Sequence, residues 1–225
     1  MDQRDVIDLS HPIRAGLTTY PGLPAPSITA HLTHEESRSH YAEGTEFAMG
    51  IITMIGNTGT YLDSPYHRYP DGPDLAGLDL ATLVDLRAEV FHLEDGWDAD
   101  HRGIGPDALG GRGLAGAAVL VRTGWSSRFG TEAYGHGAPY LTASAAAHLV
   151  GAGVALVGID SLNVDDTEGG GERPVHTALL GAGIHVVEHL TNLAAVPASG
   201  GRFTAAPPAI EGFGTFPVRA YVTLG

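Results

Sequence analysis

Thr142 to Ile159 constrains the fold of this chain more than any other stretch. Thr142 is a good cap for a helix over about Ala143 to Val150, and Gly151 and Gly153 supply its stop. Val154 to Ile159 follows at once, short and apolar, and reads as a buried strand. A capped helix that delivers the chain into such a strand signals an α/β crossover. Ala117 to Val121 is another buried-strand run. His176 to Leu180 repeats the pattern: helical character, a Gly181-Ala182-Gly183 stop, then a strand from Ile184 to Glu188.

The other elements are short. Val6 to Leu9, Ile28 to Leu32 and Arg87 to Leu93 read as strands, and Phe47 to Ile55, apolar almost throughout, as a buried one. Phe216 to Leu224 alternates Val218, Ala220, Val222 and Leu224 with other residues, which predicts one half-buried strand. Ile104 to Leu109 reads as a short helix entered through Pro106, and Leu80 to Val84 as a short helical or irregular piece. Residues 126–140 and 165–173 read as loops. Strands outnumber helices, so the expectation is a mixed α/β domain, and 225 residues without a linker suit one domain over 1–225.

A formal charge of -14, from 12 Lys+Arg against 26 Asp+Glu, argues against nucleic acid or an anionic membrane as partner. No apolar run reaches membrane-span length and Met1 to Asp5 has no signal-peptide core, so a cytoplasmic enzyme acting on a small molecule is expected. With no cysteine, any metal must be held by nitrogen and oxygen. Gly169-Gly170-Gly171 lacks the spacing and setting of a phosphate loop. Nothing in the spacing of His31, His34 and His40 demands a metal role.

Chemistry concentrates in Asn57 to His67. Gly56 and Gly59 permit backbone angles that other residues resist, and Pro65 suits the first position of a short helix capped by Asp63 or Ser64. Asp63 and His67, four apart, then point at a common centre. A carboxylate that merely satisfies backbone donors in a one-turn helix accounts for the same spacing. In the strand ending at Glu188, period-two alternation puts Val186 and Glu188 on one face and His185, Val187 and His189 on the other, making Glu188 an inward polar residue.

This segment resembles the signature His-x-Gly-Thr-His-x-Asp-x-Pro-x-His of the cyclase family that includes bacterial kynurenine formamidases and isatin hydrolases. Gly59, Thr60, Asp63, Pro65 and His67 match it, whereas Asn57 and Tyr61 stand where the pattern has its first two histidines, both metal ligands in metal-dependent members. Asp8 to Ile13, Tyr20-Pro21-Gly22, Arg122 to Trp125, Gly158 to Leu162 and His176 to Leu193 extend the resemblance over nearly the whole chain. It implies a swivelling β/β/α fold, a homodimer or homotetramer, His176 and Glu188 as metal-binding residues, and a Thr123-Gly124-Trp125 turn bordering the substrate pocket. Trp125, Tyr20 and Phe47 are candidates for an aromatic wall. The implied reaction is hydrolysis of a C–N bond in an aryl formamide, lactam or similar small cyclic amide. A divalent ion would polarise the carbonyl and activate water while an imidazole moves the proton, with His67 the candidate shuttle.

The two departures leave alternatives open. Asp63, His67, His176 and Glu188 can form a site for one Zn or Mn ion. A metal-free site can instead use Asn57 as oxyanion donor, Tyr61 as general acid and a His–carboxylate base, which suits cyclisation or dehydration as well as hydrolysis. A catalytically silent ligand-binding member is the third alternative.

Overall fold

A computed structural model describes residues 5–225. Its strands are β1 (Asp5–Asp8), β2 (Ser27–Leu32), β3 (Met49–Thr53), β4 (Tyr61–Asp63), β5 (Leu86–His92), β6 (Gly103–Ile104), β7 (Ala118–Arg122), β8 (Tyr140–Leu141), β9 (Leu156–Ile159), β10 (His185–Glu188), β11 (Gly201–Thr204), β12 (Thr215–Pro217) and β13 (Tyr221–Leu224). The helices are α1 (His34–Ser37), α2 (Ala143–Ala152) and α3 (Pro174–Gly181), joined by several single 3-10 turns.

Nine strands form one mixed sheet in the order β1-β13-β11-β5-β7-β9-β10-β4-β12. Its centre, β5-β7-β9-β10, is parallel, and antiparallel neighbours close both flanks. The helix–strand grammar explains the centre. Thr142 caps α2 by accepting from the Ala145 N–H, and Gly153 ends it in the left-handed region at φ 68°. The chain then returns parallel to β7, and α3 makes the next crossover from β9 to β10.

Alternation along these strands divides the core between the two faces of the sheet. Val119, Val121, Val157, Ile159 and Val186 pack with α2 and α3. Ala118, Leu120, Leu156 and Val187 join Leu62, Val90 and Phe203 on the other face. Glu188 follows Val186 onto the helix-covered face, as its alternation predicts.

Two expectations fail here. Phe47 to Ile55 is not a core strand: β3 pairs only with β2, in a separate two-stranded hairpin. Its side chains face solvent, with Phe47 52% and Ile52 56% exposed. An apolar run records an appetite for burial, not where that burial is found. Nor is Phe216 to Leu224 one strand. β12 pairs with β4 and β13 with β1 and β11, so the segment between them crosses from one edge of the sheet to the other end. Alternation continues through such a crossing, because both strands half-bury the same kinds of residue.

Candidate active site

The site is assembled where the parallel strands end and α3 begins, the crevice position open α/β sheets offer to ligands. Antiparallel pairing sets Tyr61 opposite Glu188 and Asp63 opposite Val186, so all four side chains share one face. On the far side β12 sets Thr215 opposite Asp63. His176 lies in the first turn of α3, directly over that face. Two glycines permit this closeness: Gly59 has φ +66°, and a Cβ on Gly56 would stand 2.2 Å from the Thr215 carbonyl oxygen.

Asp63, His176 and Glu188 converge, each fully or almost fully buried, with ligand atoms all within 4.8 Å of one another. His176 Nε2 is 3.4 Å from Asp63 Oδ2 and 3.7 Å from Glu188 Oε1. Its other nitrogen, Nδ1, lies 2.7 Å from Asp165 Oδ2. Asp165 also accepts the backbone N–H groups of Val175 and His176, so it satisfies the start of α3 and aims the imidazole at once. Burial opposes a charge on His176, yet Asp165, Asp63 and Glu188 outweigh it and raise its pKa to about 10. Burial pushes Glu188 up to about 7, despite the opposing charge of His176. Burial also opposes ionisation of Asp63, but the facing imidazole of His176, the charge of His67 and the Thr215 hydroxyl more than offset it and hold the carboxyl low.

His67 stands apart from this trio. It closes a 3-10 turn over Pro65–His67 whose cap is Ser64, while Asp63 belongs to β4, so the two do not share a helix. Their side chains nevertheless meet, His67 Nδ1 lying 3.8 Å from Asp63 Oδ1, and Thr215 bridges them. The Thr215 hydroxyl donates to Asp63 Oδ1 and lies 2.7 Å from His67 Nδ1. With its one proton given to the carboxylate, the hydroxyl must accept from Nδ1–H, which leaves Nε2 of a neutral His67 as the free base. Asn57, Tyr61, His67, His176 and Glu188 line one cavity of about 260 Å³, together with Tyr20.

Tyr61, buried at the base of that cavity, donates to Glu188 Oε2 at 2.7 Å. Desolvation, then the charges of Glu188 and Asp63, raise its pKa far above that of a free phenol, so it remains a hydrogen-bond donor. Behind it, His189 Nε2 is 3.2 Å from the Tyr61 hydroxyl and His189 Nδ1 is 2.8 Å from the Tyr134 hydroxyl. Burial holds the His189 pKa down at about 3. A neutral imidazole receiving from Tyr134 and donating to Tyr61 completes a buried chain ending on Glu188. Asn163 and the Val164 N–H supply its other donors.

Thr123 and Trp125 do not line the cavity. Thr123 donates its N–H and hydroxyl to Asp160, and the buried Trp125 indole donates to the Tyr134 carbonyl. Phe47 lies exposed beside the hairpin. Sequence reasoning missed Asp165, Thr215, His189 and Tyr134, all of which reach the site through tertiary contacts. His189 is the one with a sequence clue, since it adjoins Glu188; its φ of +56° turns it out of the strand's alternation.

The donor set fits a divalent cation. Asp63 Oδ2 is buried without a hydrogen-bond partner, and three carboxylates surround one imidazole. Such a cluster requires one positive charge at its centre, which a proton on His176 or a metal ion supplies.

Residues 7–166 match the model of the family described as "Putative cyclase". The chain belongs to the cyclase family. A kynurenine formamidase of Bacillus cereus is 30% identical over 225 residues, covering 99% of both chains. A kynurenine formamidase of Geobacillus thermodenitrificans is 31% identical over 186 residues, 82% of this chain and 81% of that one. Among solved cyclase-family structures, isatin hydrolase A from Ralstonia solanacearum superposes with a TM-score of 0.80 at 25% identity, covering 99% of this chain and 92% of that one. A structure described as a potential metal-dependent hydrolase with cyclase activity gives a TM-score of 0.77 at 26% identity over 98% of both chains. The mixed sheet with short helices is thus the cyclase-family fold expected above.

Proposed function

We propose that this chain is an amide hydrolase of the cyclase family that cleaves a C–N bond in an aryl formamide, lactam or similar small cyclic amide. The observation that carries the reading is the buried Asp63–His176–Glu188 cluster opening into a small cavity that also presents the free nitrogen of His67. The names of the relatives support the same class. In the reaction water adds to the carbonyl carbon, the C–N bond breaks, and the amine leaves with a proton. His67 Nε2 takes the proton from the attacking water and returns it to the leaving nitrogen. Thr215 holds the His67 tautomer that makes this transfer, and Asp165 holds His176 in place.

Asp63, His176 and Glu188 would hold one divalent ion, Zn or Mn, which when bound polarises the carbonyl and acidifies water. Tyr61, though it faces the same cavity, supports Glu188 by donating to it. The phenol also motivates a second reading, a metal-independent cyclase or dehydratase with Tyr61 as general acid and Asn57 as oxyanion donor.

Elemental analysis of dialysed protein, with turnover of N-formylkynurenine and isatin before and after chelation, separates the two. The expected result is near one Zn or Mn per chain and activity lost on chelation and regained on adding the ion. Chelator-resistant turnover abolished in Tyr61→Phe would transfer the chemistry to the phenol, and ligand binding without turnover would leave a silent binding protein.

The chain is proposed to act as one domain over 1–225, in the cytoplasm. Among the described residues no helix is long and apolar enough to cross a membrane. Its partner is a second copy of itself, in a dimer or tetramer. An isolated two-stranded hairpin is marginal in water, and β2 and β3 expose Ile28, Met49, Ile51 and Ile52. A second copy would cover them.

A further inference from the structure

The strongest uncommitted feature near the site is a pair of arginines. All 12 basic residues of this acidic chain are arginines. Those elsewhere are typically held by carboxylates, as in Arg38–Glu46, Arg102–Asp166, Arg122–Glu94 and Arg219–Asp8. Arg68 and Arg173 have no ion pair among the described residues. Arg68 Nε donates to the Thr177 hydroxyl at 3.2 Å. Arg173 Nη1 donates to the carbonyl oxygens of Asp166, at 3.2 Å, and Glu172, at 2.8 Å. These neutral acceptors orient the guanidinium groups without cancelling their charge.

Both arginines line the cavity that holds Tyr61, His67, His176 and Glu188. They also wall an adjoining depression with Glu172, Pro174 and Thr177, so they flank the start of α3 as neighbours, although neither makes an ion pair with Glu172. The cavity therefore has opposite ends: carboxylates at the base and two unneutralised cations at the rim. We propose that Arg68 and Arg173 bind a carboxylate of the substrate, and that the substrate is an aryl amide carrying an anionic group beside its ring. This rests on the amide-hydrolase reading above.

Guanidinium groups suit this task because their planar donors match a carboxylate in pairs. The helix start is not an alternative anion site, since the first N–H groups of α3 are already given to Asp165. The two cations also orient the substrate: its carboxylate is drawn to the rim, leaving the amide directed at the base. A cavity of about 260 Å³ lies below the usual range for drug-sized ligands, roughly 300–1,000 Å³, and suits a single-ring compound.

The test compares N-formylanthranilate with formanilide, which share ring and formamide and differ in the carboxylate. Kinetics are measured for the wild type, Arg68→Gln, Arg173→Gln and the double variant, with Arg173→Lys to keep the charge. Binding of 2-aminobenzoate and of aniline is measured by calorimetry on the same proteins. The expected result is a wild-type preference for the anionic formamide. Each Gln variant should raise KM for it by about tenfold or more, leave kcat/KM for formanilide unchanged, and be partly rescued by Lys.

If the wild type hydrolyses formanilide at least as well, or if the double variant keeps the wild-type preference, the arginine assignment is overturned while the hydrolase reading stands. If neither formamide is hydrolysed, calorimetry decides the arginines, and the hydrolase reading falls if N-formylkynurenine and isatin are not turned over either. Binding of 2-aminobenzoate but not aniline, lost in the double variant, sustains the assignment; equal binding by the variants, or none by the wild type, overturns it.

Discussion

Strands β3 and β9 are much the same kind of string, short apolar runs with glycine among them, yet one lies in water and the other in the centre of the sheet. Met49 and Ile52 are exposed in β3, whereas every residue of β9 is buried. The difference lies in what precedes them. β9 is brought back to the sheet by α2, whose cap and stop dictate an antiparallel return to the next parallel position. β3 follows a loop and a single helical turn, and it finds only β2. The contrast teaches that apolarity makes a strand want cover, while the connection decides whether its own chain provides it.

The largest effect expected from breaking this contrast is in the sheet. Leu120→Ala, fully buried beside β9, should cost about 2–5 kcal/mol in denaturant unfolding. A loss comparable to that of a surface site would mean the sheet is no better packed than the hairpin.

Next comes acid sensitivity at the other end of β10 from Glu188. His185 is buried, with Nε2 2.9 Å from the Thr82 hydroxyl and Nδ1 unpartnered. Burial depresses its pKa from 6.5 to about 4. A depressed histidine contributes stability above pH 6.5 that is lost as pH falls towards 4. In His185→Gln, the loss of unfolding free energy over that window should shrink by about 2–3 kcal/mol. An unchanged slope in pH-dependent melts would deny that His185 stays neutral when buried.

A smaller effect is expected where sheet and site join. Tyr61→Phe removes the hydroxyl that donates to Glu188 and should cost about 1.5–3 kcal/mol, read as a roughly ten- to hundredfold fall in kcat/KM on whichever amide is turned over. Full activity would reduce the phenol to packing.

The smallest effect on the folded monomer belongs to the hairpin. Ile28→Ser with Ile52→Ser should change unfolding free energy by no more than about 0.5 kcal/mol per site, while sedimentation equilibrium shows weakened self-association. A large stability loss at a dilution where the chain is monomeric would instead make the hairpin part of its own core.

Much of the sheet was legible beforehand. Helices α2 and α3 and strands β7, β9 and β10 were each readable from caps, stops and short apolar runs, which are local signals. The inward placement of Glu188 followed from alternation alone. By contrast, the split of Phe216 to Leu224 into β12 and β13 left no mark on the alternation, because the two halves pair with different strands while half-burying alike. In the site, Asp63, His67, His176 and Glu188 were singled out from motif and resemblance, but that Asp63, His176 and Glu188 form the buried trio, with His67 at its edge against Asp63 and Thr215, was not.

The sequence by itself determined helices α2 and α3 with strands β7, β9 and β10 around them, and the residue types available for chemistry, because turn chemistry and periodicity act over a few neighbouring residues. Only the tertiary structure decided that the most apolar hairpin lies exposed, that Asp165 aims His176, that Tyr61 is committed to Glu188, and that Arg68 and Arg173 reach the same cavity without a carboxylate partner. Those outcomes depend on which distant segments meet, and pairwise electrostatics and hydrogen bonds have no expression in local pattern until the chain has closed on itself.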